Sequence, residues 1–293
     1  MVIRSYAAPG AERRGARNHF YLNSAAIARK LHRPRRSPCK ISWMVNPQNM
    51  QERLDREKQV AARAALGWVR GGMKLGLGTG TTTAYFISLL GERVRQGNLT
   101  VTAVASSNAS EALARQAGVP LIEPARGLRL DLAVDGADEI APDLSLIKGN
   151  GGAMLREKVL ARAARYFLVI ADSSKRVERL SGARVPVEAT AFALPWVMDE
   201  IAALGGEPVQ RMRPGSPQEP VLTDQGNPLV DCRFRNLGEP QALAARLEEI
   251  PGVVGHGLFI GWARAALVAK GEAVLVLRAG QAPADAAEFT ELP

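Results

Sequence analysis

The chain has 293 residues, enough for one large domain or two modest ones, with 46% hydrophobic and 23% charged residues, the balance of a globular protein in water. Its formal charge of +9 suggests a nucleic-acid or membrane partner, but residues 1–45 hold ten Lys or Arg against one acid, Glu12, which leaves 28 basic and 28 acidic residues for the remainder; the body of the chain is neutral and gives no electrostatic reason to expect either partner. Two cysteines, Cys39 and Cys232, exclude a disulfide framework, and the absence of any 18-residue apolar run excludes a membrane-spanning helix.

Residues 1–49 read as a disordered basic extension, because high charge with low hydrophobicity cannot support a packed core. The same Arg-rich, acid-poor composition is that of an organelle transit peptide or a nucleic-acid-binding arm, and Met44 and Met50 are both candidate starts. The spacing predicts a helix over 51–70, ended by Gly71-Gly72, and a strand over Lys74–Gly78. After the segment Thr79–Thr83 a helix runs through Leu90. Leu99–Ala105, Val119–Ile122, Leu130–Val134 and Tyr166–Ala171 are expected as strands, with helices over Asn108–Ala117 and Ala153–Ala164. Strands alternating with helices of this length predict a parallel sheet with helices on its faces.

The rhythm changes after residue 182. Val185–Ala189 and Pro208–Met212 read as strands around a helix at Pro195–Leu204, and residues 213–220 as a Pro-rich link. Val221–Thr223 and Leu229–Cys232 flank the turn Asp224–Asn227, and Glu239–Glu249 is a helix before a short strand at Val253-Val254. This is a split βαβ pattern. The expected organisation is an α/β domain of residues 50–182 plus 257–281, a smaller α+β lid of residues 183–256, and a flexible tail at 282–293. Ala265–Ala269 and Ala273–Leu277 return to the first sheet.

Ligands of open α/β sheets bind beyond the carboxyl ends of the strands. Four such ends carry chemistry. Gly78, Thr79, Gly80, Thr81 and Thr82 form a glycine- and hydroxyl-rich turn into a helix, a cradle for phosphate or a plain strand-to-helix turn. It lacks the third glycine of a dinucleotide fingerprint and the Gly-Lys-Ser/Thr of a Walker loop. Asp135-Gly136-Ala137-Asp138-Glu139 crowds three carboxylates, suited to proton transfer or to an ordinary acidic turn. Lys148-Gly149-Asn150-Gly151-Gly152 makes an anion nest beside an ammonium, followed by a helix bearing Glu157, which lies off an apolar stripe of Leu155, Val159 and Ala163. Lys175 follows the last of these strands. His256, between two glycines, reads as part of a turn. Acids, an ammonium and phosphate donors without a placed His or Cys suit the isomerisation of a phosphorylated sugar through an enediolate.

The runs Gly76–Thr82, Ser106–Ser110, Val134–Glu139, Lys148–Lys158 and Ile170–Lys175, with Ile250–Val254 and Gly257–Phe259, resemble the successive motifs of type A ribose-5-phosphate isomerases, over about residues 50–280. The resemblance implies a Rossmann-like sheet domain with a ferredoxin-like lid, and interconversion of ribose 5-phosphate and ribulose 5-phosphate in the pentose phosphate pathway without metal or organic cofactor. It implies Glu157 as the base, Asp135 and Asp138 as acids on the sugar hydroxyls, and Lys148 with Gly149, Asn150 and Gly151 holding the oxyanion. Gly136 and Ala137 are implied as sugar contacts, and Thr79, Gly80, Thr81, Thr82, Lys175 and Lys58 as the phosphate site. It further implies a cytoplasmic homodimer or homotetramer. Asn150 and Thr81 depart from a glycine and a serine common at these positions; Asn tolerates positive φ and Thr keeps the hydroxyl.

Overall fold

The computed structural model describes residues 47–286; most of the basic extension and the last residues of the tail lie outside the described residues. The first helix, α1 (Pro47–Leu66), begins on a proline, whose fixed φ suits a first turn, and ends one residue before Gly67. Then follow β1 (Lys74–Leu77), α2 (Thr81–Arg95), β2 (Thr102–Ala105), α3 (Asn108–Ala117), β3 (Leu130–Asp135), β4 (Glu139–Ile140), β5 (Leu146–Ile147), α4 (Met154–Ala163) and β6 (Ala164–Asp172). A 3₁₀ turn at Ser173–Lys175 leads to β7 (Val185–Ala189), α5 (Leu194–Ala203), β8 (Gly206–Gln210), β9 (Met212–Arg213) and β10 (Ser216–Pro220). The described chain closes with β11 (Leu229–Phe234), α6 (Pro240–Glu249), β12 (Val253–His256), β13 (Leu258–Phe259), β14 (Ala265–Lys270), β15 (Ala273–Leu277) and β16 (Ala284–Asp285).

The central sheet has the order β16-β15-β14-β6-β3-β1-β2, parallel from β14 to β2. Two-residue periodicity gives it two dry faces, as parallel sheets require. From β6, Tyr166, Leu168 and Ile170 join the cluster under α1 and α2, while Phe167, Val169 and Ala171 join the one on the other face with Met154 and Phe259. Ala61, Ala62 and Ala65 let α1 lie close to the sheet. Truncating a filled position such as Leu75 or Leu132 to Ala costs about 2–5 kcal/mol. From β1 the chain goes to β2 on one side and then returns to β3 on the other. The crevice between β1 and β3 is thus the point where strand order reverses, the place where open α/β sheets hold ligands.

The elements β7-α5-β8-β11-α6-β12 form a four-stranded antiparallel sheet in the order β12-β7-β11-β8, the ferredoxin-like arrangement. Val187, Val230, Cys232 and Phe234 pack against Val197, Ile201 and Leu247 of the two helices. The alternate residues, Pro186 and Asp231, lie opposite one another in register and belong to the other face.

Several expectations need correction. Val119–Ile122 is not a strand: it makes one bridge, Leu121 to Ala103, because Pro120 has no N–H to give and Pro124 stops extension. The Pro-rich stretch 213–220 is not a link but most of the ribbon β9–β10, turned at Gly215. On α4 the stripe Leu155/Val159/Ala163 is not the buried face: Val159 is 55% exposed and Leu155 and Ala163 are half-buried, while Met154, Glu157, Leu160 and Ala161 are buried. The sheet of β4, β5 and β13 was not expected, since two-residue strands carry no periodicity.

Candidate active site

A cleft of about 310 Å³ opens at the β1/β3 crevice. Its wall includes Lys58, Thr79, Gly80, Thr81, Thr82, Gly136, Ala137, Asp138, Lys148, Gly149, Asn150, Gly151, Glu157 and Lys175. All the expected site residues except Asp135 therefore share one cavity. Another cleft, near Pro142 and Arg235, is larger at about 610 Å³ but holds no comparable set of acids, ammonium and glycine nest.

Asp135 stands behind the wall, buried, with its carboxylate held by donors of the protein itself. Its Oδ1 accepts from the amides of Thr79 (3.0 Å) and Gly136 (2.7 Å) and from the Thr83 hydroxyl (3.4 Å), while Oδ2 meets Lys148 Nζ at 2.9 Å. The fit demands glycine at 78, where a Cβ would come within 2.0 Å of the Asp135 side chain. Lys148 is equally enclosed. Its Nζ also donates to Gly136 O (2.6 Å), lies 3.2 Å from Glu157 Oε2, and sits 5.5 Å from the Phe259 ring centroid.

Three buried charges cannot all be balanced: there are two carboxylates and one ammonium. Burial alone would lower the Lys148 pKa, but Asp135 and Glu157 outweigh it and hold the lysine above its ordinary range. Asp135 has three further donors, whereas Glu157 Oε2 has no hydrogen-bond partner, the Lys148 contact lying outside hydrogen-bond geometry. Glu157 therefore bears the imbalance. Burial first and the Asp135 charge second push its pKa up to about 8, against the opposing pull of Lys148. A carboxyl group poised near neutrality, with a free lone pair on a cleft wall, is suited to taking and returning a proton.

The rest of the cleft is lined with donors. Helix α2 starts at Thr81 with no side-chain cap, so its first amides are open to an anion. Thr79 lines the cleft, and its hydroxyl lies 2.7 Å from Ser106 Oγ and 2.9 Å from Ser107 Oγ. Lys58 pairs with Asp55 at 2.8 Å, and Lys175 has no carboxylate partner among the described residues. Asp138 Oδ2 accepts the Asn150 amide at 3.0 Å. Positive φ falls on Gly149 and Gly152, so Asn150 is not called on to adopt it.

Sequence reading missed Gln51, Leu54, Asp172 and Ser174, which also line the cleft, and Glu57, which supports it. Positions 51, 54 and 58 share one face of α1, a signal that starting from Lys58 would have found. Glu57 is buried and accepts from Ser173 N (3.0 Å), Ser173 Oγ (2.6 Å) and Gly271 N (3.0 Å), fixing the turn that carries Lys175. Among the described residues no group of three or more His, Cys, Asp or Glu is arranged to hold a metal ion. His256 lies buried at the end of β12 beside Lys158, away from the cleft wall.

The family model for ribose 5-phosphate isomerase A (phosphoriboisomerase A) matches residues 102–273. The chain is 47% identical over 231 residues to the ribose-5-phosphate isomerase A of Roseiflexus castenholzii, covering 78% of this chain and 97% of that protein. Among solved structures it is similar to a D-ribose-5-phosphate isomerase in complex with phospho-erythronic acid (TM-score 0.74, 35% identity, 77% of this chain and 99% of that one). It is likewise similar to the ribose 5-phosphate isomerase A of Methanocaldococcus jannaschii (TM-score 0.71, 37% identity, 76% and 98%).

Proposed function

The chain belongs to the ribose-5-phosphate isomerase A family, and from that premise we propose how its own residues interconvert ribose 5-phosphate and ribulose 5-phosphate. The observation that carries the reading is the buried set Glu157, Lys148 and Asp135 at the β1/β3 crevice. The substrate's phosphate lies at the α2 N-terminus with Thr81 and Thr82, and Lys175 and Lys58 add positive charge. The open-chain sugar then extends along Gly136, Ala137 and Asp138 toward Glu157.

Glu157 removes the proton on carbon 2 of the aldose, and the electron pair forms the carbon 1–carbon 2 enediolate. Negative charge leaves Glu157 and appears on the enediolate oxygen. Lys148 follows it, exchanging its weakest contact, that with Glu157, for the oxyanion, while Asp135 and Gly136 O keep the ammonium in place. Amides of the 149–151 nest add donors. The protonated Glu157 returns the proton to carbon 1, and Asp138 relays the hydroxyl proton. Phospho-erythronic acid, bound by one similar isomerase, carries a carboxylate whose two oxygens resemble those of the enediolate.

We assign the lid role to residues 183–256, a cytoplasmic place of action and a homodimeric or homotetrameric assembly. The support for assembly is an exposed aromatic pair on the antiparallel sheet's first helix and its approach, Phe192 and Trp196, 84% and 61% exposed with ring centroids 5.7 Å apart. No helix among the described residues is long and apolar enough to cross a membrane. The test of function is formation of ribulose 5-phosphate from ribose 5-phosphate by the full chain with EDTA present. Undiminished turnover is expected; loss of turnover on chelation would overturn the cofactor-free mechanism.

A further inference from the structure

The glycine nest is gripped from behind by a residue that lies outside the cleft wall. Arg211 follows β8 and is 9% exposed. Its Nε and Nη2 meet Asp231 Oδ2 and Oδ1 at 3.0 and 2.5 Å, and Asp231 is anchored in turn by Arg184 Nη2 at 2.8 Å. The remaining nitrogen, Nη1, donates to the carbonyls of both Gly149 (3.2 Å) and Asn150 (3.0 Å). A trans peptide points its N–H opposite to its C=O. Fixing two successive carbonyls therefore fixes the direction of two successive amides. The amide in the Gly149 carbonyl's plane is that of Asn150, which donates to Asp138 Oδ2 at 3.0 Å. The amide in the Asn150 carbonyl's plane is that of Gly151, a cleft residue, and it has no acceptor among the described residues.

We propose that Arg211 is a positioning residue for the isomerisation: anchored on Asp231, it orients the Gly149–Asn150 and Asn150–Gly151 peptides so that one amide holds Asp138 and the next is presented to the substrate's oxygens. It touches no substrate itself. Lysine cannot replace it, because only a planar fork serves a bidentate carboxylate and two carbonyls at once. The inference rests on the cleft being the isomerase site.

The experiment compares the full wild-type chain with Arg211→Lys and Asp231→Asn for kcat and KM on ribose 5-phosphate, alongside the thermal midpoint. Arg211→Lys is expected to lower kcat by about tenfold to a hundredfold, the cost of a misplaced reacting geometry, with KM changed by less than about threefold. Asp231→Asn, which keeps the arginine but weakens its anchor, is expected to lower kcat by a smaller factor in the same way, and gives the readout if the lysine variant does not fold. Variants that melt earlier yet keep kcat and KM within about twofold would reduce Arg211 to a structural role and overturn the proposal. A wild-type chain that does not convert ribose 5-phosphate would instead overturn the reading of the cleft, and the proposal with it.

Discussion

Two lysines face the ring of Phe259; burial lowers the pKa of both, yet their net shifts run in opposite directions. Lys148 Nζ lies 5.5 Å from the ring centroid and Lys158 Nζ 5.3 Å. Lys148 has two buried carboxylates, at 2.9 and 3.2 Å, and its pKa is held above the ordinary lysine range. Lys158 has His256 at 3.2 Å and only the exposed Glu248 at 3.7 Å, and burial brings its pKa down to about 8. The imidazole beside it is pushed down to about 3, by burial first and by the Lys158 charge second. Depth alone does not set the charge state of a lysine. What differs is whether the fold supplies buried anions in excess, and at Lys148 that excess is what raises Glu157.

Breaking the comparison at Lys148 has the largest expected effect. Lys148→Met leaves two buried carboxylates without a counter-charge; stability should fall by about 3–5 kcal/mol, seen in urea unfolding, and turnover should be lost. A smaller but large effect is expected at the phosphate end. Lys175→Ala removes one charge-assisted contact of about 1.5–3 kcal/mol, so KM should rise by roughly tenfold or more while kcat changes little. Asp135→Asn sharpens the comparison through pH. In the wild type, kcat/KM should fall as pH drops through about 8, because Glu157 must be ionised to accept the proton. Removing the Asp135 charge lowers the Glu157 pKa, so that limb should move to lower pH; a limb that stays in place would detach Asp135 from Glu157.

The smallest effect on activity is expected at Lys158. Its folded pKa of about 8 lies below its ordinary 10.5. The unfolded chain therefore binds more protons between these values, and stability should rise with pH across that window. Lys158→Met should abolish the rise in a pH series of unfolding measurements and leave kcat within about twofold of the parent.

The parallel sheet and the split βαβ pattern were legible because their strands are long enough to show period and alternation, as in Tyr166–Ala171 and Val185–Ala189. Thr79–Thr82, Asp135–Asp138 and Lys175 were legible because each follows a strand whose end had been located, and Lys148–Gly151 because a lysine beside a run of glycines stands out without one. Three things were not. The inward face of α4 was misread because a second apolar row, Leu155, Val159 and Ala163, runs beside the buried one: Val159 is exposed while Glu157 is buried, and periodicity follows hydrophobicity alone. Asp135 was legible as an acid at a strand end, but its capture by the amides of Thr79 and Gly136 was not. Arg211 and Asp231 lie 20 residues apart on neighbouring segments, and their grip on residues 149 and 150 depends on how the antiparallel sheet meets the nest, which no local pattern encodes.

The central claim is that Glu157 is the proton carrier, and the most direct measurement is the steady-state turnover of Glu157→Gln on ribose 5-phosphate together with its affinity for phospho-erythronic acid. The substitution keeps shape and removes the base. The account predicts a kcat lower by about 10²–10⁴-fold with affinity for that compound within roughly threefold of the parent's; a kcat equal to that of the parent chain would contradict it.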